Sequence, residues 1–296
     1  RDLHKEYRRQ RQMCIRDRTM SYQNFDDFVA SEANHVPLTP LSFLPRTALM
    51  YPDRRAIVYG DRSYTWQSFF HRCQKLASAL NGAGVSKGDT VAVLAANTPE
   101  MIEAHFGVPM SGAVLNTINT RLDDETIAYI LEHGEAKVFI VDYELAPQAK
   151  DALNILKNND LLVIDILDYQ NSTAPASIGR TDYESFLSSG SEEDQWHMPS
   201  DEWDAIGLSY TSGTSGRPKG VVYHHRGSYL MSMGTIADWD LPRHPNYLYT
   251  VPMFHCNGWG HAWTMTALAG TMFCTRSIVP EEIFTAISEH KITHFG

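Results

Sequence analysis

Thr211-Ser212-Gly213-Thr214-Ser215-Gly216-Arg217-Pro218-Lys219-Gly220 (TSGTSGRPKG) lies between two runs, Asp204 to Tyr210 and Gly220 to His224, that read as strands. Its ten residues hold four hydroxyls, three glycines, one lysine and one arginine. Glycine lets backbone N–H groups approach an anion, hydroxyls donate to it and lysine supplies charge, so the stretch has the chemistry of a phosphate cradle. It is neither of the common glycine-rich loops. Lys219 is followed by Gly220 rather than Ser or Thr, and no Gly-x-Gly-x-x-Gly is present. A plain hairpin turn would use one or two glycines but has no need of four hydroxyls and a Pro-Lys pair.

Outward from this loop, strand and helix patterns alternate. Ala56 to Tyr59 and Ser63 to Trp66, around Gly60-Asp61-Arg62, predict a β-hairpin. Phe69, Cys73, Leu76, Ala77 and Leu80 fall at helical spacing after Thr65, with Gly82 and Gly84 as a stop. Thr90 to Ala95 reads as a buried strand, and Thr98-Pro99-Glu100 as a helix start. Ala113 to Asn116, a helix from Asp123 to His133, and Lys137 to Val141 repeat the pattern; Asn246 to Val251 and Thr271 to Thr275 add strands. The fold class predicted is α/β, with βαβ units and a parallel sheet. Residues 168 to 200, rich in Ser, Asp, Glu and Pro, read as a connecting region.

A second stretch with chemistry is Val251-Pro252-Met253-Phe254-His255-Cys256-Asn257-Gly258-Trp259. His255 by itself reads as a hydrogen-bonded histidine at a strand end, and Trp259 and Trp263 as one turn apart on a helix. His224, His225, His244, His255, Cys256 and His261 fall close together, but no pair has a zinc-site spacing.

Composition narrows the function classes. Hydrophobic content of 43% and charged content of 20% are values of a globular chain. Net charge is −10, yet residues 1 to 18 carry +4, leaving −14 on the rest. An acidic body argues against binding a phosphate backbone, so no nucleic-acid partner is expected. Four scattered cysteines suggest no disulfide framework. With no apolar run near 18 residues and no signal-peptide core, a soluble, cytoplasmic protein without an integral membrane segment is expected.

Both ends depart from the body. Residues 1 to 19, including RDLHKEYRRQRQMCIRDR, read as a non-native leader before Met20 rather than as a basic nucleic-acid arm. Pro280-Glu281-Glu282 opens a helix with Ile283, Phe284 and Ile287 on one face, and Lys291 to Phe295 reads as a strand at which the chain stops. A cut before completion is expected.

Tyr210 to Val221 (YTSGTSGRPKGV) resembles the phosphate-binding signature of the adenylate-forming, AMP-binding superfamily, with Ser215 where threonine is usual. Tyr64-Thr65-Trp66, Gly88 to Ala92 and Ala113 to Leu122 are similar to further segments of that superfamily. His255-x-Asn257-Gly258-Trp259 is closest to medium-chain fatty-acid and methylmercaptopropionate CoA ligases. The resemblance covers Phe25 to Gly296 and implies the large N-terminal domain of that fold, with mixed, largely parallel sheets, here 20–296, and the C-terminal domain absent. It implies an acid:CoA ligase that joins a small carboxylic acid to ATP as an acyl-adenylate and then to coenzyme A. Thr211, Ser212, Gly213, Thr214, Ser215, Gly216 and Lys219 would hold phosphates, with Thr211 beside Mg²⁺. His255 would be the catalytic residue and would line, with Trp259, the boundary of nucleotide and acyl pockets, while Trp263 stays in the core. A domain loading a carrier protein, a luciferase-like oxygenase and a non-catalytic nucleotide-binding module remain as alternatives, and self-association as a homodimer is left open.

Overall fold

The computed structural model describes residues 31, 33–156, 160–168, 177–211 and 216–296. The expected leader, residues 1–19, lies outside them. Two units are distinguished, Arg1–Val36 and Pro37–Gly296. In the first, the described residues form a turn in which the Ser31 N–H donates to Asn34 Oδ1 at 2.8 Å.

The second unit carries two sheets. One has the order β12–β10–β11–β1–β2, from β1 (Arg55–Tyr59), β2 (Arg62–Thr65), β10 (Asn246–Tyr249), β11 (Thr271–Cys274) and β12 (His294–Phe295). The other has the order β7–β6–β5–β3–β4–β8–β9. Its strands are β3 (Thr90–Leu94), β4 (Val114–Thr117), β5 (Ala136–Asp142), β6 (Leu162–Ile166), β7 (Thr181–Asp182), β8 (Ala205–Thr211) and β9 (Lys219–His224). All pairings are parallel except β1 with β2 and β8 with β9, each at a sheet edge. The mixed, largely parallel α/β architecture is the one expected.

Helix α1 (Phe43–Met50) precedes β1 and α7 (His225–Asp238) follows β9; between the sheets run α2 (Trp66–Gly82) and α3 (Pro99–Met110). Every residue of α3 is buried, because it meets both sheets, so its charged groups are all paired. Glu100 takes Arg62 at 2.7 Å, and Glu103 takes Arg72 at 2.6 Å and the Tyr183 hydroxyl at 2.8 Å. Burial pushes the Glu103 carboxyl up, against the pull of Arg72. Gly107 is required where the two helices approach, since a Cβ there would lie 2.6 Å from Leu76 Cδ2.

Strand alternation divides the core. Val91 and Val93 of β3 face the layer between the sheets, while Ala92 and Leu94 face α4 (Asp124–His133) and α5 (Ala146–Ile155) on the outer side. In the five-stranded sheet Tyr247, Tyr249 and Met272 point inward, and Leu248 and Phe273 point out toward Ile283 and Ala286. Two helix layers, two sheets and a further outer helix, α9 (Pro280–His290), result.

Several expectations shift. Trp66 starts α2 rather than ending β2, because the Thr65 side chain caps it by accepting from Ser68 N–H. Thr98 gives no side-chain cap to α3. Within 168–200, read as a connection, Thr181–Asp182 forms edge strand β7 and Tyr183–Ser188 forms α6, which buries Tyr183, Phe186 and Leu187. On α9, Phe284 is 71% exposed while Ala286 packs inward. The strand expected over Lys291 to Phe295 is confined to β12, with Lys291 in a left-handed conformation.

Candidate functional site

In the seven-stranded sheet, β3 leads through α3, on the inner face, to β4; β4 leads through α4, on the outer face, back to β5 on the far side of β3. The connections leave β3 toward β4 and β5 toward β6, so they diverge between β3 and β5. The carboxyl ends of β3 and β4 are covered by a segment from the other sheet. The Thr117 hydroxyl, at the end of β4, donates to Phe254 O at 3.1 Å, and Asn97, just after β3, bonds to Met253 N–H at 2.8 Å.

The covering segment runs into a 3₁₀ turn, His255–Gly260, followed by α8 (His261–Ala267). Its backbone is unusual, with positive φ at Cys256 (46°), Gly258 (59°), Trp259 (57°) and Gly260 (66°). Two of these are not glycine, a strained arrangement that folds retain chiefly at functional sites. Gly258 is needed for space as well, since a Cβ would stand 3.2 Å from Met253 Cα. The consequence is that His255 and Trp259 face outward, Trp259 with 51% exposure, while Met253 is buried. Trp259 and Trp263 are thus not on one helix, as the spacing suggested: the left-handed Trp259 and Gly260 separate them. Trp263 is 2% exposed and its indole N–H donates to His105 O at 3.1 Å, so it belongs to the core as expected.

The glycine-rich loop joins β8 to edge strand β9, with Thr211 paired to Lys219 across its base. Ser212, Gly213, Thr214 and Ser215 lie outside the described residues. Thr211, Gly216 and Lys219 are exposed, and Gly216 has φ 123°, a conformation open to glycine. The stem is anchored on α4. Tyr210 OH bonds to His133 Nδ1 at 2.8 Å, and burial pushes the Tyr210 phenol up to about 12. Tyr129 OH donates to Pro218 O at 3.4 Å, and the Arg217 guanidinium lies 5.3 Å from the centre of the Tyr129 ring. Arg217 and Lys219 are both exposed, and the Arg217 guanidinium rests on the Tyr129 ring.

The two segments meet through Tyr223 of β9. Its phenol lies beside Ser209 and Cys256, and burial, then the Cys256 thiol, push it up. Cys256 adjoins His255, so the hairpin and the turn share one wall. Asn97, Thr117, Tyr223 and Ser209 were not singled out by the sequence. Asn97 carried one signal, a polar residue between a buried strand and a helix start, and Thr117 lay in the family-like segment Ala113 to Leu122; Tyr223 and Ser209 carried none. Of the six metal-ligand candidates weighed by sequence, none joins a cluster of three or more His, Cys, Asp or Glu among the described residues.

A family model described as AMP-binding enzyme matches residues 44–296. The chain belongs to the AMP-binding enzyme family. It is 42% identical over 286 residues to the peroxisomal acetate/butyrate–CoA ligase of Arabidopsis thaliana, covering 93% of this chain and 50% of the relative. To the peroxisomal trans-cinnamate:CoA ligase of Petunia hybrida it is 43% identical over 282 residues, covering 91% and 50%. Among solved structures, the o-succinylbenzoate CoA synthetase of Bacillus subtilis in complex with ATP and magnesium ion superposes with a TM-score of 0.69 at 21% identity, covering 86% of this chain and 62% of that one. The chain spans about half the length of the curated relatives it matches. As an AMP-binding enzyme it shares their α/β fold. No helix among its described residues is long and apolar enough to cross a membrane.

Proposed function

We propose that the whole protein is an acid:CoA ligase that activates a small carboxylic acid with ATP and passes it to coenzyme A. The observation that carries this reading is the meeting, through Ser209, Tyr223 and Cys256, of a glycine- and hydroxyl-rich hairpin ending in an exposed Lys219 with the strained turn that presents His255 and Trp259. A carboxylate is a poor electrophile. Its oxygen attacks the α-phosphorus of ATP, pyrophosphate leaves, and the mixed anhydride then yields its acyl group to a thiol while AMP departs. Little covalent chemistry falls to the protein, which supplies alignment and charge.

In this reading Thr211, Ser212, Gly213, Thr214, Ser215, Gly216 and Lys219 hold the β- and γ-phosphates, Lys219 as a point charge and Gly216 through its accessible backbone. The exposed Thr211 hydroxyl is a hard oxygen donor suited to Mg²⁺ that arrives on the nucleotide. One hydroxyl with phosphate oxygens fits that ion's habit of binding through substrate rather than in a protein cage. Bound there, Mg²⁺ would offset phosphate charge. His255 donates toward the reacting carboxylate or the phosphate it attacks, and Trp259 walls the acyl side. Relatives named for acetate, butyrate and trans-cinnamate differ widely in acyl group, which supports a reading in which side chains around a common activating loop select the acid. In this proposal the acid is short- to medium-chain and the enzyme is cytoplasmic.

The test is acid-dependent ATP–pyrophosphate exchange by this chain and by the complete product of its gene, over a series of aliphatic and aromatic acids, followed by thioester formation with coenzyme A or with a pantetheinylated carrier. Acid-dependent exchange and a CoA thioester are expected from the complete product. Exchange without a CoA thioester would move the assignment to carrier loading, and nucleotide binding without exchange to a non-catalytic module.

A further inference from the structure

We propose that Asn97 is the positioning residue of this site: its side chain, fixed to the seven-stranded sheet, sets the backbone of the segment that presents His255 and Trp259. Three hydrogen bonds carry the proposal. Asn97 Nδ2 donates to Tyr249 O and to Val251 O, both at 3.0 Å, and Oδ1 accepts from Met253 N–H at 2.8 Å. Asn97 is itself buried.

The chemistry demands an amide. β10 ends at Tyr249, and beyond it the backbone still has carbonyls and N–H groups to satisfy away from water. Pro252 contributes no N–H, so the segment offers two carbonyls, at Tyr249 and Val251, and then one N–H, at Met253. A side-chain amide has two donors and an acceptor in a fixed plane and satisfies all three. Aspartate, of the same shape, would keep the acceptor but turn a carboxylate oxygen toward two carbonyls; alanine would leave all three groups unpaired.

Location gives this local arrangement its consequence. Asn97 follows β3, and the segment it holds follows β10 of the other sheet, so the three bonds fix one sheet against the other at the carboxyl ends of β3 and β4. Two residues beyond Met253 the chain reaches His255, and then the strained positive-φ positions. A turn that must hold Cys256 and Trp259 in left-handed conformations needs its entry point over-determined. Asn97 and the Thr117 bond to Phe254 supply that constraint.

The kinetic part of the test rests on the acid-activation reading; the structural part does not. Asn97→Ala and Asn97→Asp are compared with the native protein by amide hydrogen exchange at Met253, by the NMR shift of the Trp259 indole, and by pyrophosphate exchange per folded molecule. Met253 exchange is expected to quicken on the order of tenfold in Asn97→Ala, with a smaller change in Asn97→Asp, which keeps the acceptor. The Trp259 signal is expected to move or broaden in both. kcat is expected to fall roughly tenfold or more with KM for ATP little changed, since a displaced turn costs alignment rather than phosphate binding. A cooperatively folded variant with native Met253 exchange and a native Trp259 signal would overturn the proposal. So would native kcat in a variant whose Met253 exchange has quickened, because the turn would then not depend on its tether. Absence of acid-dependent turnover in the native complete product would sink the acid-activation reading alone, leaving exchange and the indole signal to decide on Asn97.

Discussion

The β8–β9 hairpin holds Gly216 and Lys219 out in solvent above a stem fastened by Tyr129, Tyr210 and His133, whereas the Val251–Trp259 segment is tied down at Asn97 and Thr117 and buries Met253 before it exposes anything. A loop that wraps polyphosphate needs unspent donors, so its chemistry is written in residue types. A surface that orients a reacting group needs fixed geometry, and the fixing is done by residues remote in sequence. Substitutions in the first region should therefore change function at constant stability, and those at the root of the second should change stability first.

The largest effect on stability is expected at the buried end of the second region. Trp263→Ala should cost about 3 to 5 kcal/mol, the range for truncating a packed tryptophan, and its lost bond to His105 O adds to this. Chemical denaturation measures it, and a loss under about 1 kcal/mol would mean the turn is not rooted in the core.

Next comes acid sensitivity. Burial pushes His261, at the start of α8, down to about 4, and Nδ1 has no partner. The unfolded chain takes up this proton near pH 6.5 and the folded chain only near 4, so the contribution is full above about 6.5 and is lost as pH falls toward 4, to a total of about 3 kcal/mol. His225, also pushed down to about 4 by burial, works in the same direction. Stability measured from pH 7.5 to 4.5 should decline in the native chain and about half as steeply in His261→Phe; equal slopes would show that His261 is not the source.

Trp259→Ala, removing a half-exposed ring, should cost less than about 1.5 kcal/mol while altering the preference among acids of different length. Loss of fold with unchanged preference would return Trp259 to the core. Smallest for stability is Lys219→Ala: the unfolding midpoint should stay in place while pyrophosphate exchange slows by roughly ten- to a hundredfold through loss of one charge-assisted contact. Unchanged exchange would show that the hairpin is not the phosphate loop.

Much of the fold was legible because its signals are local. The alternation of buried strands with capped helices gave β3, α3, β4, α4 and β5 to within a residue or two, since Asp123 and Thr65 cap by bonding backbone only three residues away. Where the sequence reading slipped, a distant neighbour was responsible. Tyr183, Phe186 and Leu187 pass for part of a polar connection until α2 is there to cover them, and Phe284 looks like a core residue although the sheet face turns to Ile283 and Ala286 instead. The tryptophan spacing misled for another reason: a positive φ at Trp259 leaves no mark in a pattern of hydrophobicity.

By itself the sequence determined the α/β class and the family, and it supplied the phosphate-cradle reading of Thr211 to Lys219, because donors, charge and backbone freedom are properties of residue types in a short run. Only the tertiary structure decided that the carboxyl ends of β3 and β4 are covered by a segment from the other sheet, that the Arg217 guanidinium rests on Tyr129, and that Asn97 bonds to the segment leading to His255 and Trp259. Those outcomes depend on which strands become neighbours, and a hydrogen bond between residues 97 and 253 exists only once two sheets have packed across a buried helix.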